Sequence, residues 1–312
     1  MSIPHAKVII NPIAGGHSIS GQWPRISKQL QDIHLTFDHE FTEGPGHAIE
    51  IARQAAESGY QYLIAIGGDG TVNEVANGIL CSNNAKQTIL GIVSSGTACG
   101  FARSLNISRN YTSTCSLLTG KGRAVIDVGV VQCWRQGRPV ERYFVNIADI
   151  GFGAAIVDAW KALPELPGRK ISYTLRTIEG LRRLLTYRNK RIRLGLGNKV
   201  EIISSCAVMV ANGQYLAEKI RIAPHARLDD GLLDVVVVGD VDKVELLKIW
   251  PALSSSGHIT HPKIREEKTT TITVECDEQL LVEVDGDILG EGPASFSILP
   301  SALSVVVKHT SL

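Results

Sequence analysis

An apolar run, Tyr62-Leu63-Ile64-Ala65-Ile66, leads into the heptapeptide Gly67-Gly68-Asp69-Gly70-Thr71-Val72-Asn73, and a helix-like segment from Val72 to Leu80 overlaps its end. A strand, a Gly-rich turn and a helix start stand in direct succession, the sequence form of a βα unit. Gly supplies backbone shapes that side chains forbid, so a bulky anion can come close to the main chain. The unpaired N–H groups of the helix start then face that anion. Asp69 sets a carboxylate at the end of the strand, within reach of a phosphate-bound Mg²⁺. The loop fits nucleotide phosphate but is no Walker loop, because GxxxxGK[ST] occurs nowhere in the chain. The residues alone also leave open an ordinary βα turn that uses Gly for tightness.

A length of 312 residues corresponds to about two domains, and 44% hydrophobic residues suffice for proper cores. Lys and Arg number 32 against 31 acidic residues, so the chain exerts no global pull on nucleic acid or anionic membrane, and any such contact is local. Cys81, Cys99, Cys115, Cys133, Cys206 and Cys276 form no CxxC pair, which fits reduced thiols in a cytosol. The histidines show no HExxH spacing, which argues against zinc. No signal peptide is read at Met1-Ser2-Ile3-Pro4-His5, and no run of about 18 apolar residues is present to span a bilayer.

The first third of the chain alternates strand and helix signals. Ala6 to Ile10 is a short apolar run ending in the turn-rich Asn11-Pro12-Ile13-Ala14-Gly15-Gly16, with a helix expected from about Trp23 to Gln31. Leu35 to Phe41 reads as a strand and Gly46 to Ser58 as a helix; Thr88 to Val93 is a further strand, closed by Ser94-Ser95-Gly96-Thr97 and a helix from Cys99 to Leu105. Such alternation indicates a parallel sheet with helices on both faces. Ligands of such sheets sit at the carboxyl ends of the strands, where all four Gly/Thr-rich loops fall. After about Gly122 the texture becomes that of antiparallel β structure. Val- and Ile-rich runs follow at Ala124–Val131, Tyr143–Ile147, Arg191–Leu196, Glu201–Val210, Leu232–Val238, Thr269–Cys276, Leu280–Val284 and Ala302–Val307. Ile171, Leu175, Ile178, Leu181 and Leu185 give one apolar helix face, and Val241 to Leu253 is a second helix candidate.

Eight landmarks occur in one order: Asn11-Pro12 with Gly15-Gly16; Thr42 with Gly46-His47-Ala48; Gly67 to Asn73; Gly96-Thr97 with Phe101-Ala102-Arg103; Asp127-Val128-Gly129; Asn146 with Gly151-Phe152-Gly153; Asp229-Asp230-Gly231-Leu232-Leu233-Asp234; and Asp285-Gly286-Asp287. In them the chain resembles the bacterial lipid kinases of the diacylglycerol kinase catalytic family, over nearly its whole length. The resemblance implies an α/β plus β fold: an N-terminal Rossmann-like α/β domain (1–125), a C-terminal β-sandwich-like, lipid-substrate domain (126–301), and an active site in the cleft between them. A strand at about 302–312 is expected to return to the first domain.

The resemblance also implies ATP and Mg²⁺ as cofactors. It assigns Asn11, Pro12, Gly15, Gly16, Thr42, Gly67, Gly68, Asp69, Gly70, Thr71, Asn73 and Thr97 to ATP. Thr hydroxyls can donate to phosphate oxygens, although Thr42 and Thr97 also suit plain helix caps. Asp69 is expected to act through a metal-bound water, since Mg²⁺ keeps several waters, and Asp127 to join the same water network or to be a turn residue. Asp285 and Asp287 are the candidate general bases. Family members usually carry Glu where this chain has Asp287, one methylene shorter, and Asp-Gly is also a common hairpin turn. Asp230, with the backbone carbonyls of Arg227 and Leu232, matches a family site for a second, structural Mg²⁺, or is a simple turn. A carboxylate that supports that metal in some members is missing from Gly96-Thr97-Ala98-Cys99-Gly100.

Arg182, Arg183, Arg188, Lys190, Arg191 and Arg193 form a local basic cluster, either a solvated face or a docking surface for anionic lipid. The leading expectation is a cytoplasmic kinase that takes ATP and a lipid substrate such as diacylglycerol by peripheral membrane contact, without nucleic acid; a homodimer is compatible with it. The alternatives are an NAD kinase-like enzyme, which shares the Gly-Gly-Asp-Gly core, and a catalytically silent nucleotide- or lipid-binding regulator.

Overall fold

A computed structural model describes residues 5–94, 99–164, 169–216, 220–254 and 261–308; Thr97, one of the ATP candidates, lies outside them. The chain divides into one unit of Met1–Val128, Arg227–Gly231 and Leu299–Leu312 and a second of Gly129–Ala226 and Leu232–Ile298.

The first unit runs β1 (Ala6–Ile10), α1 (Ala14–Asp32), β2 (Phe37–Phe41), α2 (His47–Glu57), β3 (Tyr62–Gly67), α3 (Asp69–Leu80), β4 (Ile89–Ser94), α4 (Gly100–Ser104), α5 (Tyr111–Leu118) and the first half of β5 (Arg123–Arg135). The sheet order is β2-β1-β3-β4, all parallel. Ser304 and Val305, late in the sequence, pair in parallel with Ile89 and Leu90 and extend this sheet beyond β4. β1 and β3 are buried almost throughout, which explains their apolar runs, broken in β1 by Lys7, which pairs with Glu40 at 2.6 Å. The helix expected from Trp23 begins instead at Ala14 and takes Gly15 and Gly16 into its first turns. Ile19, Ile26 and Leu30 lie on one helical face and are fully buried, so packing on the sheet overrides the Gly pair and Pro24. α5, rich in Ser and Thr, is not among the helices expected from the sequence. Asn110 starts it by accepting from the Thr112 N–H at 2.9 Å, and Cys115 and Leu118 bury its inner face.

The second unit contains the rest of β5, then β6 (Arg138–Phe144), β7 (Ile147–Gly151), α6 (Phe152–Lys161), α7 (Arg169–Thr186), β8 (Lys190–Leu196), β9 (Lys199–Ser205), β10 (Ala207–Ala211), β11 (Tyr215–Leu216), β12 (Ile220–Arg221), β13 (Leu233–Val238), α8 (Lys243–Ser254), β14 (Ile264–Thr269), β15 (Thr271–Cys276), β16 (Leu281–Val284) and β17 (Asp287–Val306), whose last residues belong to the first unit. Its antiparallel order is β14-β13-β10-β7-β16-β17, and β15, β8 and β9 continue from β17. Alternate residues such as Ala148, Ile150, Val208, Val210, Val282 and Val284 fill one core. The architecture is the α/β plus β-rich arrangement expected. Two runs read as single strands are each two: Val145-Asn146 separates β6 from β7, and Cys206 separates β9 from β10. α7 carries the expected apolar face, turned outward. Ile178, Leu181 and Leu185 are exposed while Leu184 is buried, so the apolar stripe faces away from this unit's core.

α2 and α3 cross where Gly78 lacks a side chain: a Cβ there would stand 2.4 Å from the Ile49 carbonyl oxygen and 2.5 Å from the Ala52 Cβ. Gly78→Ala should therefore lower unfolding free energy by about 1–3 kcal/mol in urea titrations. An unchanged midpoint would mean that the helices separate at little cost.

Candidate functional site

Register places the expected loops on one edge of the first sheet. Ile10 pairs with Phe41 and with Ile66, and Gly67 with Ser94, so β1 to β4 end side by side. The Asn11 side chain joins two of these loops: its Oδ1 accepts from the Ile13 N–H at 3.1 Å and its Nδ2 donates to Thr71 Oγ1 at 3.0 Å. Ser20 Oγ donates to the Pro12 carbonyl at 3.1 Å. Thr42 is buried and its N–H donates to the Ile10 carbonyl at 2.8 Å. Gly67 must be Gly, because a Cβ would lie 2.4 Å from Thr71 Oγ1. Gly46 precedes α2 with φ +82°, the left-handed region that Gly occupies without strain. Asn73 is buried and accepts from Asn77 Nδ2 at 3.0 Å, so it helps hold α3 rather than facing solvent.

Asp69 is the first residue of α3 rather than the end of the strand. Its Oδ2 accepts from the Gly100 N–H at 2.9 Å and its Oδ1 from the Phe101 N–H at 3.1 Å. Burial raises its pKa, against the lowering effect of those two amides. Glu74, one turn further on, was not singled out in the sequence. Its carboxylate accepts from the N–H groups of Gly46 (2.7 Å) and Ala48 (3.2 Å), which fastens the Thr42–Ala48 loop to α3. Asp127 on β5 is buried; Oδ2 accepts from Gly231 and Oδ1 from Ser301, both at 2.7 Å. It is a strand residue and not a turn, and it ties three separate segments of the first unit together. Of the second-metal candidates, Arg227 is exposed with its guanidinium on Asp229 at 3.2 Å, and Asp230 is half-buried beside Gly231. Among the described residues no cluster of three or more His, Cys, Asp or Glu side chains is arranged around a metal position.

In the second unit, Asp285 and Gly286 are the two central residues of the β16–β17 hairpin, with φ +46° and +96°, and Val284 pairs with Asp287. Two positive φ values make this the primed turn that Asp-Gly favours. The hairpin reading and the functional one thus describe the same residues. Asp285 is 5% exposed; its Oδ2 accepts from the Val145 N–H at 2.9 Å and its Oδ1 from Asn146 (3.2 Å) and Ile147 (2.9 Å). Asp287 differs: its side chain is 44% exposed and Oδ1 accepts from Lys161 Nζ at 2.5 Å. Lys161, Asp149 and Glu283 were missed in the sequence. The available signal was an acid within each of the apolar runs Ile147–Ile150 and Leu280–Val284.

Two family models match the chain: the diacylglycerol kinase catalytic domain over residues 5–131, and the YegS C-terminal NAD kinase beta sandwich-like domain over residues 147–307. The chain belongs to the diacylglycerol kinase catalytic family. A protein named diacylglycerol kinase from Staphylococcus carnosus (strain TM300) is 27% identical over 312 residues, 98% of this chain and 97% of that protein. One from Staphylococcus aureus (strain MRSA252) is 27% identical over 305 residues, 97% and 92% respectively. The fold is similar to that in a crystal structure of a diacylglycerol kinase from Bacillus anthracis str. Sterne (TM-score 0.69, 22% identity, 99% of this chain and 98% of that one). It is also similar to yeast NADH kinase complexed with NADH (TM-score 0.54, 8% identity, 99% and 84%). Family membership makes the chain a kinase, and a kinase uses a nucleotide.

Asp285→Asn would leave one carboxamide oxygen for amides that now share two carboxylate oxygens, and should cost about 1–3 kcal/mol of stability. Asp287→Asn, at a half-exposed site, should stay within about 0.5 kcal/mol of the parent. Equal denaturant midpoints for the two variants would contradict the bonding described for Asp285.

Proposed function

We propose that the chain is an ATP- and Mg²⁺-dependent kinase that transfers the γ-phosphate of ATP to a lipid hydroxyl, with diacylglycerol, the substrate class in its relatives' names, as the acceptor. The observation that carries this reading is the convergence of the Asn11, Thr42 and Gly67 loops on one sheet edge, beside Asp69. Phosphoryl transfer asks a protein mainly for positioning and charge neutralisation. Asn11, Pro12, Gly15, Gly16, Thr42, Gly67, Gly68, Gly70, Thr71 and Thr97 are proposed to hold the nucleotide, with Gly allowing close main-chain approach, and the buried Asn73 to support them by holding α3.

No described basic side chain pairs with Asp69, so its buried carboxylate fits a hard cation through water. Oxygen donors from Asp230 and from the carbonyls of Arg227 and Leu232 suit a second such ion. When bound, Mg²⁺ would neutralise charge on the phosphate oxygens. Of the two candidate bases, Asp287 fits best. A base must reach the acceptor hydroxyl, and Asp287 is half-exposed, whereas both oxygens of Asp285 are engaged by main-chain amides. In this reading Asp287 takes the hydroxyl proton as the oxygen bonds to the γ-phosphorus and ADP leaves. Lys161 orients Asp287, and Asp285 fixes the turn.

The outward apolar stripe of α7 supports peripheral contact with lipid. Lys243 on α8 donates to the Leu185 carbonyl, and Val244 and Leu247 on α8 are also exposed. No described helix is long and apolar enough to cross a membrane.

With radiolabelled ATP, the parent should phosphorylate diacylglycerol, Asp69→Ala should lose turnover, and Asp287→Asn should lose at least tenfold in kcat with little change in KM for ATP. Transfer to NAD with none to any lipid would reverse the substrate assignment. The double variant Leu181→Asp with Leu185→Asp should sediment less with anionic vesicles and keep its activity on micellar lipid; unchanged sedimentation would remove α7 from membrane contact.

A further inference from the structure

Asp149 on β7 and Glu283 on β16 stand directly opposite each other in an antiparallel pair. Their neighbours Ala148, Ile150, Val282 and Val284 point into the sheet's main core, so both acids project from the other face. There α6 follows directly from β7, and its Phe152 and Ile156 build the apolar cover with Leu184 and Cys206. Asp149 is 2% and Glu283 3% exposed. Directly opposed residues hold their Cβ atoms about 4.5–5.5 Å apart, and like charges at that spacing oppose the pairing. Two ionised carboxylates in a dry site do not coexist; one keeps a proton.

The hydrogen bonds leave a place for that proton. Asp149 Oδ1 accepts from the Ala154 N–H at 2.7 Å, while Oδ2 is buried and has no partner among the described residues. Gly153 lets the carboxylate lie flat against the start of α6, since a Cβ there would be 2.8 Å from its oxygens. A register shift between Val282 and Glu283 bends β16 locally, and Glu283 Oε1 accepts from the Gly286 N–H. Gly286 lies between Asp285 and Asp287, and Asp287 is bound in turn by Lys161 from the last turn of α6.

We infer that Asp149 and Glu283 share one proton and act as positioning residues: an O–H between Glu283 and the open Oδ2 of Asp149 completes a chain from α6 through both acids to Gly286, which sets the turn that carries Asp287. The function of the turn rests on the kinase reading above; the sharing of the proton does not. Burial pushes the pKa of Asp149 up to about 7. Burial first, and then Asp149, push that of Glu283 well above the usual carboxylate range. The other titratable groups facing the pair are Asp285 and Asp287 on the turn, Cys206 before β10 and Tyr187 after α7. Cys206 is pushed up to about 12 by burial and Asp149, and burial raises Tyr187, so neither ionises in the window concerned. Carboxyls with raised folded pKa values bind protons better in the fold. Their contribution is complete below the unfolded range near 4 and is lost as pH rises to about 7.

The test is the thermal midpoint of the full chain from pH 4 to pH 8.5, with kcat measured in parallel. The parent midpoint should fall across the window, and Glu283→Gln, which keeps an acceptor for Gly286 and offers N–H to Asp149, should flatten that fall and keep kcat within threefold. Asp149→Asn should flatten it likewise. Glu283→Leu removes the Gly286 acceptor and should lower kcat at least tenfold with KM for ATP unchanged. Parental pH slopes in both amide variants would overturn the shared proton, with or without kinase activity. Parental kcat in Glu283→Leu, or failure of that chain to fold where Glu283→Gln folds, would overturn the positioning role.

Discussion

Buried carboxylates bonded to main-chain amides are the device on which both candidate sites depend. Asp69 holds the start of α4, Glu74 the entry to α2, Asp127 the segments at Gly231 and Ser301, and Asp285 the stretch from Val145 to Ile147. A loop rich in Gly has no side chains with which to fix itself, and ordering it costs conformational entropy. An acid on a neighbouring rigid element supplies a charge-assisted bond for that task. The same groups then determine where free N–H donors and open carboxylates remain for a ligand.

This explains why the paired acids of the β16–β17 hairpin are not equivalent although they stand two residues apart. Asp285 is enclosed by amides and left-handed in backbone; Asp287 begins a strand and carries its oxygens toward solvent and Lys161. Residue type and spacing are the same for both, and only tertiary surroundings distinguish them. The shorter Asp in place of Glu at position 287 therefore sits in a setting that a lysine from α6 helps to define.

Much of the fold was legible because β1, β3 and β4 are predominantly apolar and lead into Gly-rich loops, and because Asp-Gly announces a primed hairpin. The strand ends lie side by side for the same reason: parallel strands align their ends. What escaped the sequence has tertiary causes. The Gly15-Gly16 pair reads as a breaker, yet Ile19, Ile26 and Leu30 draw the helix through it. The stripe Ile178, Leu181 and Leu185 has helical spacing, but spacing does not say which way a stripe faces. Glu74, Asp149 and Glu283 lie inside elements where an acid looks like an exposed position, and only register reveals that they are enclosed.

β17 has a further consequence for how such a chain is made. The strand starts at Asp287 in one unit and by Ser304 and Val305 is pairing with β4 in the other. Synthesis delivers residues 6–94 long before the partner that covers this side of β4. Until then the nascent sheet exposes an unpaired, apolar edge, the kind of surface that invites association with other chains. Expression of the N-terminal segment by itself would keep that edge bare permanently, so its solubility depends on a strand encoded more than half the gene away.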